Sequence, residues 1–149
     1  MGFLVDTCVW IDVERGVLAP ADVAVLTAGQ SVYISPVTLA ELRFGAEIAP
    51  DPGIRQRRLA ALRRLARRPL LTIDGTTGEI FGSLAAQIKA AGRQHRYRVQ
   101  DLWLASQAVQ HDFGLLTRNA RDFQDIPGLD VVLYRLSIKD HGGHGGLAD

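Results

Sequence analysis

Short apolar runs that stop at a polar residue and hand over to a helical segment recur along this chain, and that alternation constrains its fold more than any other feature. Phe3-Leu4-Val5 stops at Asp6, followed by Thr7 and an apolar, helix-like segment that begins at Cys8. Ser31-Val32-Tyr33-Ile34 leads into Ser35-Pro36, a helix start with Ser as N-cap and Pro at the first helical position. Leu70 to Ile73 reads as a third strand ending at Asp74-Gly75, Phe113 to Thr117 as another and Asp130 to Leu133 as the last. Strands alternating with helices predict an α/β fold, a parallel sheet of four to five strands covered by helices on both faces.

The helical segments are legible from spacing and punctuation. Pro20 to Ala28 forms a short helix that Gly29 ends. After Ser35-Pro36, the residues Val37, Leu39, Ala40, Phe44 and Ile48 make an apolar stripe with Glu41 beside it. Thr76 with Glu79 reads as a capping box opening a helix from Thr77 to about Ala91. Val99, Leu102, Trp103, Ala105, Ala108 and Val109 space a further helix, with Asp101 in its first turn. With 149 residues the chain has enough apolar material for one domain without disulfides. We place that domain at residues 1–136 and expect 137–149, with four glycines in six residues, to be a flexible tail.

A single cysteine, Cys8, excludes an intrachain disulfide and favours a reducing compartment. No basic n-region precedes the first apolar run, and no apolar stretch approaches the ~20 residues that span a bilayer. The expectation is a cytoplasmic protein with no membrane partner. The net charge of +1 hides an asymmetry: residues 52–100 hold eleven Lys or Arg against Asp74 and Glu79, while the remainder holds six basic and fourteen acidic residues. An acidic site beside a basic surface is the arrangement for drawing in a polyanion, provided cations neutralise the acids. Most of the basic charge is on IRQRRLAALRRLARR, where seven arginines lie between 55 and 68 with no acid among them. Arg63, Arg64, Arg67 and Arg68 are candidate contacts to phosphate or to an acidic partner; a solvated helical face is the competing reading. Arg96, in the basic loop after Gly92, is a further candidate contact.

Carboxylates recur where strands end. Asp6 follows the first strand, Asp101 opens a helix, Asn119 and Asp122 follow the strand that ends at Thr117, and Glu41 can reach the same edge from the helix after the second strand. In open parallel sheets ligands bind outside the carboxyl ends of the strands. Taken alone, Asp6 reads first as a helix cap. Together, hard oxygen donors without His or Cys partners suit Mg²⁺ or Mn²⁺ and disfavour Zn²⁺ or copper. A divalent ion among carboxylates points to hydrolysis of a phosphodiester by metal-activated water. The sequence has no GxxxxGK[ST] phosphate loop and no visible Ser–His or Cys–His pair. A dehalogenase-type phosphatase would need a second Asp where Cys8 stands.

LVDT at the start, SPVTLAELRFG, VQDLWLA and LLTRNARDF resemble the PIN-domain ribonucleases, and within them the VapC toxins of bacterial type II toxin–antitoxin (VapBC) modules. The resemblance covers nearly the whole chain. It implies a PIN-like α/β/α sandwich and Mg²⁺- or Mn²⁺-dependent endoribonuclease activity on tRNA or rRNA. It also implies a homodimer and inhibition by a cognate VapB antitoxin, in a larger complex that binds operator DNA through the antitoxin. The family's first three acids correspond to Asp6, Glu41 and Asp101, the metal set, and Asp122 is the only carboxylate near the fourth position, where Asn119 stands for the usual Asp. Cys8 stands where the family commonly has Asn. Thr7 and Thr117 are candidate supporting polar groups, beside Asn119. A non-catalytic PIN-fold RNA-binding or scaffolding subunit is the alternative.

Overall fold

The computed structural model describes residues 1–93 and 99–134. Its strands are β1 (Gly2–Val5), β2 (Ser31–Tyr33), β3 (Gly114–Thr117) and β4 (Asp130–Leu133). Its helices are α1 (Thr7–Glu14), α2 (Pro20–Leu26), α3 (Pro36–Glu47), α4 (Pro52–Leu65), α5 (Gly75–Ala90), α6 (Val99–His111) and α7 (Ala120–Phe123). The strands form one parallel sheet in the order β2-β1-β3-β4. Both central strands are buried along their whole length, which explains why they read as continuous apolar runs.

Alternation along the strands sends side chains to two cores. Leu4 and Leu115 face Leu84, Ile88, Leu102 and Leu104 of α5 and α6. Phe3, Val5 and Leu116 face Val9, Trp10 and Val23 of α1 and α2. Gly114 is required by this packing, since a Cβ there would fall 2.5 Å from the Phe3 ring. None of the helices of the described residues is long and apolar enough to cross a membrane.

The strand pattern has its switch at the centre of the sheet. From β1 the chain crosses to β2 on one side, then returns to β3 on the other, so β1 and β3 lie side by side with Val5 opposite Leu116. At such a point loops leave in opposite directions and open a crevice at the carboxyl edge. The Asp6 N–H continues the ladder to the Leu116 carbonyl at 2.9 Å, so Asp6 and Thr117 emerge as neighbours.

Three local expectations are corrected. Leu70 to Ile73 is not a strand: only Leu70 bridges to Ile34, after which the Leu71 carbonyl is taken by the Gln107 side chain at 2.7 Å. Helix α5 is capped by Asp74 rather than Thr76. The Asp74 carboxylate accepts the Thr77 N–H and the Thr77 hydroxyl accepts the Asp74 N–H, both at 3.1 Å, so Thr77 and not Glu79 closes the box. Finally, α3 has no single apolar stripe: Val37 packs into one core, Leu39 and Leu42 into the other, and Phe44 and Ile48 are 65% and 62% exposed.

Candidate active site

Four helices begin at the carboxyl edge of the sheet. Helices α1, α3 and α7 follow β1, β2 and β3 directly. Helix α6 runs back to the start of β3 and therefore has its first turn at that edge too. Asp6, Glu41, Asp101 and Asp122 are thus brought to one end of the sheet by topology alone.

Asp6 is both cap and candidate ligand. It precedes α1 in extended conformation as its N-cap residue and accepts on Oδ1, at 2.8 Å, the N–H of Thr7, the first residue of the helix. Its Oδ2 accepts the Thr117 hydroxyl at 2.8 Å and faces the Cys8 thiol, a weak donor at 3.4 Å. Thr117 in turn accepts the Asn119 N–H at 3.0 Å, so its hydroxyl is spent within the protein, orienting Asp6. Thr7 donates to Glu41 Oε1 at 3.1 Å and lies 3.2 Å from the Thr38 hydroxyl. One short stretch, Asp6-Thr7, therefore links β1, β3 and α3 at the point where the acids gather.

The electrostatics of the pair are adverse to both charges. Asp6 is 6% exposed, and burial pushes its carboxyl above the usual range, with the Asp122 charge adding to the rise and three hydrogen bonds opposing it. Burial also raises Glu41, and the Asp6 charge raises it further. Among the described residues neither carboxylate has an ion-pair partner; Arg43, the sequence neighbour of Glu41, pairs with Glu47 at 2.8 Å instead. The Cys8 thiol is pushed up to about 11 by burial and by Asp6, so it stays protonated and donates rather than ligates at neutral pH.

Asp101 is half-buried in the first turn of α6, and Asp122 is half-buried on α7. Asn119 is exposed. Of the candidate arginines, Arg64 and Arg68 line a groove between α1, α3 and α4, whereas Arg63 and Arg67 are exposed outside it. Arg96 and the tail 137–149 lie outside the described residues.

The sequence reading missed a buried ionic cluster beside the site. Asp12, 2% exposed on α1, accepts from Arg118 Nη1 on both oxygens at 3.0 Å and from the Tyr134 hydroxyl at 2.7 Å. It fixes the residue after Thr117 to α1 and to the end of β4. A charged residue inside the apolar run Val9-Trp10-Ile11-Asp12-Val13 was the available signal.

Residues 3–129 match the model of the PIN domain family. Ribonuclease VapC4 of Mycobacterium tuberculosis is 33% identical over 129 residues, covering 87% of this chain and 94% of that protein. The chain belongs to the VapC ribonucleases of the PIN-domain family. Ribonuclease VapC1 of Rickettsia felis is 32% identical to this VapC-family chain over 141 residues, covering 94% and 100% of the two. DNA-bound VapBC from Salmonella typhimurium superposes with a TM-score of 0.74 at 25% identity, over 88% of this chain and 96% of that one.

The donor chemistry of this VapC-family site fits a hard divalent cation. Asp6, Glu41, Asp101 and Asp122 offer only carboxylate oxygens, two of them held against their own ionisation with no cation of the described residues to answer them. Among the described residues no three Asp, Glu, His or Cys side chains close on one point. Mg²⁺ does not require that, because it keeps several waters and is typically held through one or two carboxylates.

Proposed function

We propose that this chain is the toxic component of a type II toxin–antitoxin module: a Mg²⁺- or Mn²⁺-dependent endoribonuclease that hydrolyses phosphodiester bonds in tRNA or rRNA. A cognate VapB antitoxin restrains it, and the toxin itself is a homodimer. The observation that carries the reading is Asp6, buried at the switch point of a parallel sheet, with Glu41 and Asp122 raising the local negative charge and no cation of the described residues beside it. The names of the relatives support a ribonuclease, and the VapBC complex from Salmonella supports an antitoxin partner and, through the complex, DNA.

Asp6, Asp101 and Glu41 would hold the ion, some of them through its waters, with Asp122 adding negative charge, and when bound it would supply acidity to water and positive charge against the developing charge of the phosphoryl group. The remaining work falls to the chain. The Thr7 N–H and the Thr117 hydroxyl fix the Asp6 carboxylate so that its rotamer is set before substrate arrives. Thr7 does the same for Glu41. The Asp12–Arg118 pair holds the turn that carries Thr117 and Asn119 against α1. The test is incubation of purified, antitoxin-free protein with total cellular RNA in Mg²⁺, Mn²⁺ or EDTA. Defined cleavage with either ion and none in EDTA is the expected result.

A further inference from the structure

Thr38 and Glu41 lie three residues apart on α3 and so share a face of that helix. The Thr7 side chain at the start of α1 meets both, its hydroxyl 3.1 Å from Glu41 Oε1 and 3.2 Å from the Thr38 hydroxyl. Thr7 is 6% exposed and Thr38 is fully buried, so bulk water answers neither hydroxyl. A buried Ser or Thr on a helix can return its proton to the carbonyl one turn earlier. Thr27 does so to Val23 at 2.8 Å, and Ser106 to Leu102 at 2.6 Å. Thr38 does not. The carbonyl one turn before it, that of Ile34, accepts the Leu71 N–H at 2.9 Å, and among the described residues the Thr38 hydroxyl has Thr7 as its partner. It is turned away from its own helix and onto α1.

Counting protons gives this contact its sense. Thr7 has one hydroxyl proton to donate, and a carboxylate accepts it more strongly than a hydroxyl does. With that proton on Glu41, the Thr38 hydroxyl completes the set by donating to Thr7 Oγ1, and all three oxygens are used. Hydrogen bonds in such a chain polarise one another, so the outer bond strengthens the inner one. Thr7 also gives its backbone N–H to Asp6 Oδ1 at 2.8 Å. One residue thus touches two of the proposed ligands through two different groups, and Thr38 fixes which way its side chain faces.

We propose that Thr38 is a positioning residue of the metal site: through Thr7 it sets where the Glu41 carboxylate stands relative to Asp6. The assignment rests on the divalent-ion reading above and adds to it a residue that acts only through another. Exchanging the hydroxyl for a methyl in Thr38→Val orphans no group, because Thr7 keeps Glu41 as its acceptor. A merely structural Thr38 would therefore register in the melting temperature, whereas a positioning one registers in the ion.

The test is Mn²⁺ binding by full-length, antitoxin-free protein, read from the electron paramagnetic resonance of the free ion, beside thermal melts in EDTA. Thr38→Val should melt close to wild type and bind Mn²⁺ about tenfold more weakly, the lower end of what outer-shell partners contribute. Thr38→Ser should bind as wild type does. In a Thr7→Val background Thr38→Val should bring no further loss, since the group it acts through has gone. Unchanged Mn²⁺ affinity in Thr38→Val, an equal loss in Thr38→Ser, additive losses with Thr7→Val, or a fall of several degrees in melting temperature alongside the lost affinity would each overturn the proposal. RNA cleavage by the same proteins separates it from the ribonuclease reading: Thr38→Val should lower kcat in Mn²⁺ and leave KM for RNA near wild type. Thr38-dependent Mn²⁺ binding in a protein that cuts no RNA would keep the positioning role and sink the ribonuclease. Metal-dependent cleavage with Mn²⁺ affinity indifferent to Thr38 would do the reverse, and wild-type protein that binds no Mn²⁺ would overturn both.

Discussion

Asp6 is held where its own charge is unwelcome. A carboxyl whose folded pKa is raised above its unfolded value is ionised at neutral pH at the expense of stability, so the neutral isostere should relieve the fold. Asp6→Asn, which keeps an acceptor for the Thr7 N–H, should therefore melt at the same temperature as wild type or higher in EDTA; a drop of several degrees would show that Asp6 is there as a cap. Asp12 behaves oppositely, because Arg118 and Tyr134 answer it. Removing the cation leaves a buried carboxylate, which costs about 3–5 kcal/mol for a fully buried pair. Arg118 is 38% exposed, so Arg118→Gln should cost nearer 2–3 kcal/mol after that discount. Asp12→Asn, which frees a cation able to reach water, should cost less, and urea denaturation of the two variants would show the order. Asp6, Asp101 and Asp122 stand out in the sequence because each sits at a strand end or in the first turn of a helix, and Glu41 because it lies beside apolar residues in the second turn of α3. The Asp12 cluster was not legible, since Asp12 is over a hundred residues from both Arg118 and Tyr134 and only the fold joins them.

The elements show the same division between local and long-range signals. The Ser35–Pro36 start of α3 and the strands buried on both faces were readable from sequence, because the chemistry that makes them is contiguous; the Asp74 cap of α5 was placed two residues late. The segment from Leu70 to Ile73 has strand-forming residues, but Pro69 has no N–H to give, and Gln107, thirty-six residues on, takes the Leu71 carbonyl. The α3 stripe failed for a related reason: this helix divides its apolar residues between two cores, so one helical face does not describe it. At the start of α5, Thr77 and Gln110 donate to Asp74 and hold its carboxyl below the usual range. A depressed folded pKa contributes stability that is present above the unfolded value and lost as pH falls through the folded one. Wild type should thus lose stability on acidification below the ordinary Asp range, and Asp74→Ala should remove that part of the pH dependence while lowering stability at pH 7. Thermal melts from pH 7 to pH 3 read both.

At the scale of the molecule, the alternation of strands and helices was enough to predict the parallel sheet and, with it, a crevice, because a parallel sheet whose chain switches direction between β1 and β3 opens one there whatever its surface sequence. The charge asymmetry of the sequence became geometry in the same way: the arginine-rich stretch lies along one wall of a groove that ends at Glu41. What composition could not divide was the arginine run itself, of which Arg64 and Arg68 face the groove and Arg63 and Arg67 do not. The central claim is that the acids at this crevice cleave RNA with a divalent ion. Its most direct measurement is the initial rate of RNA cleavage in Mg²⁺ or Mn²⁺ for wild type, Asp6→Asn and Asp101→Asn. Loss of at least about a hundredfold in each variant, with binding of RNA retained, is the predicted result. Equal cleavage by Asp6→Asn and wild type, or cleavage that persists in EDTA, would contradict the account.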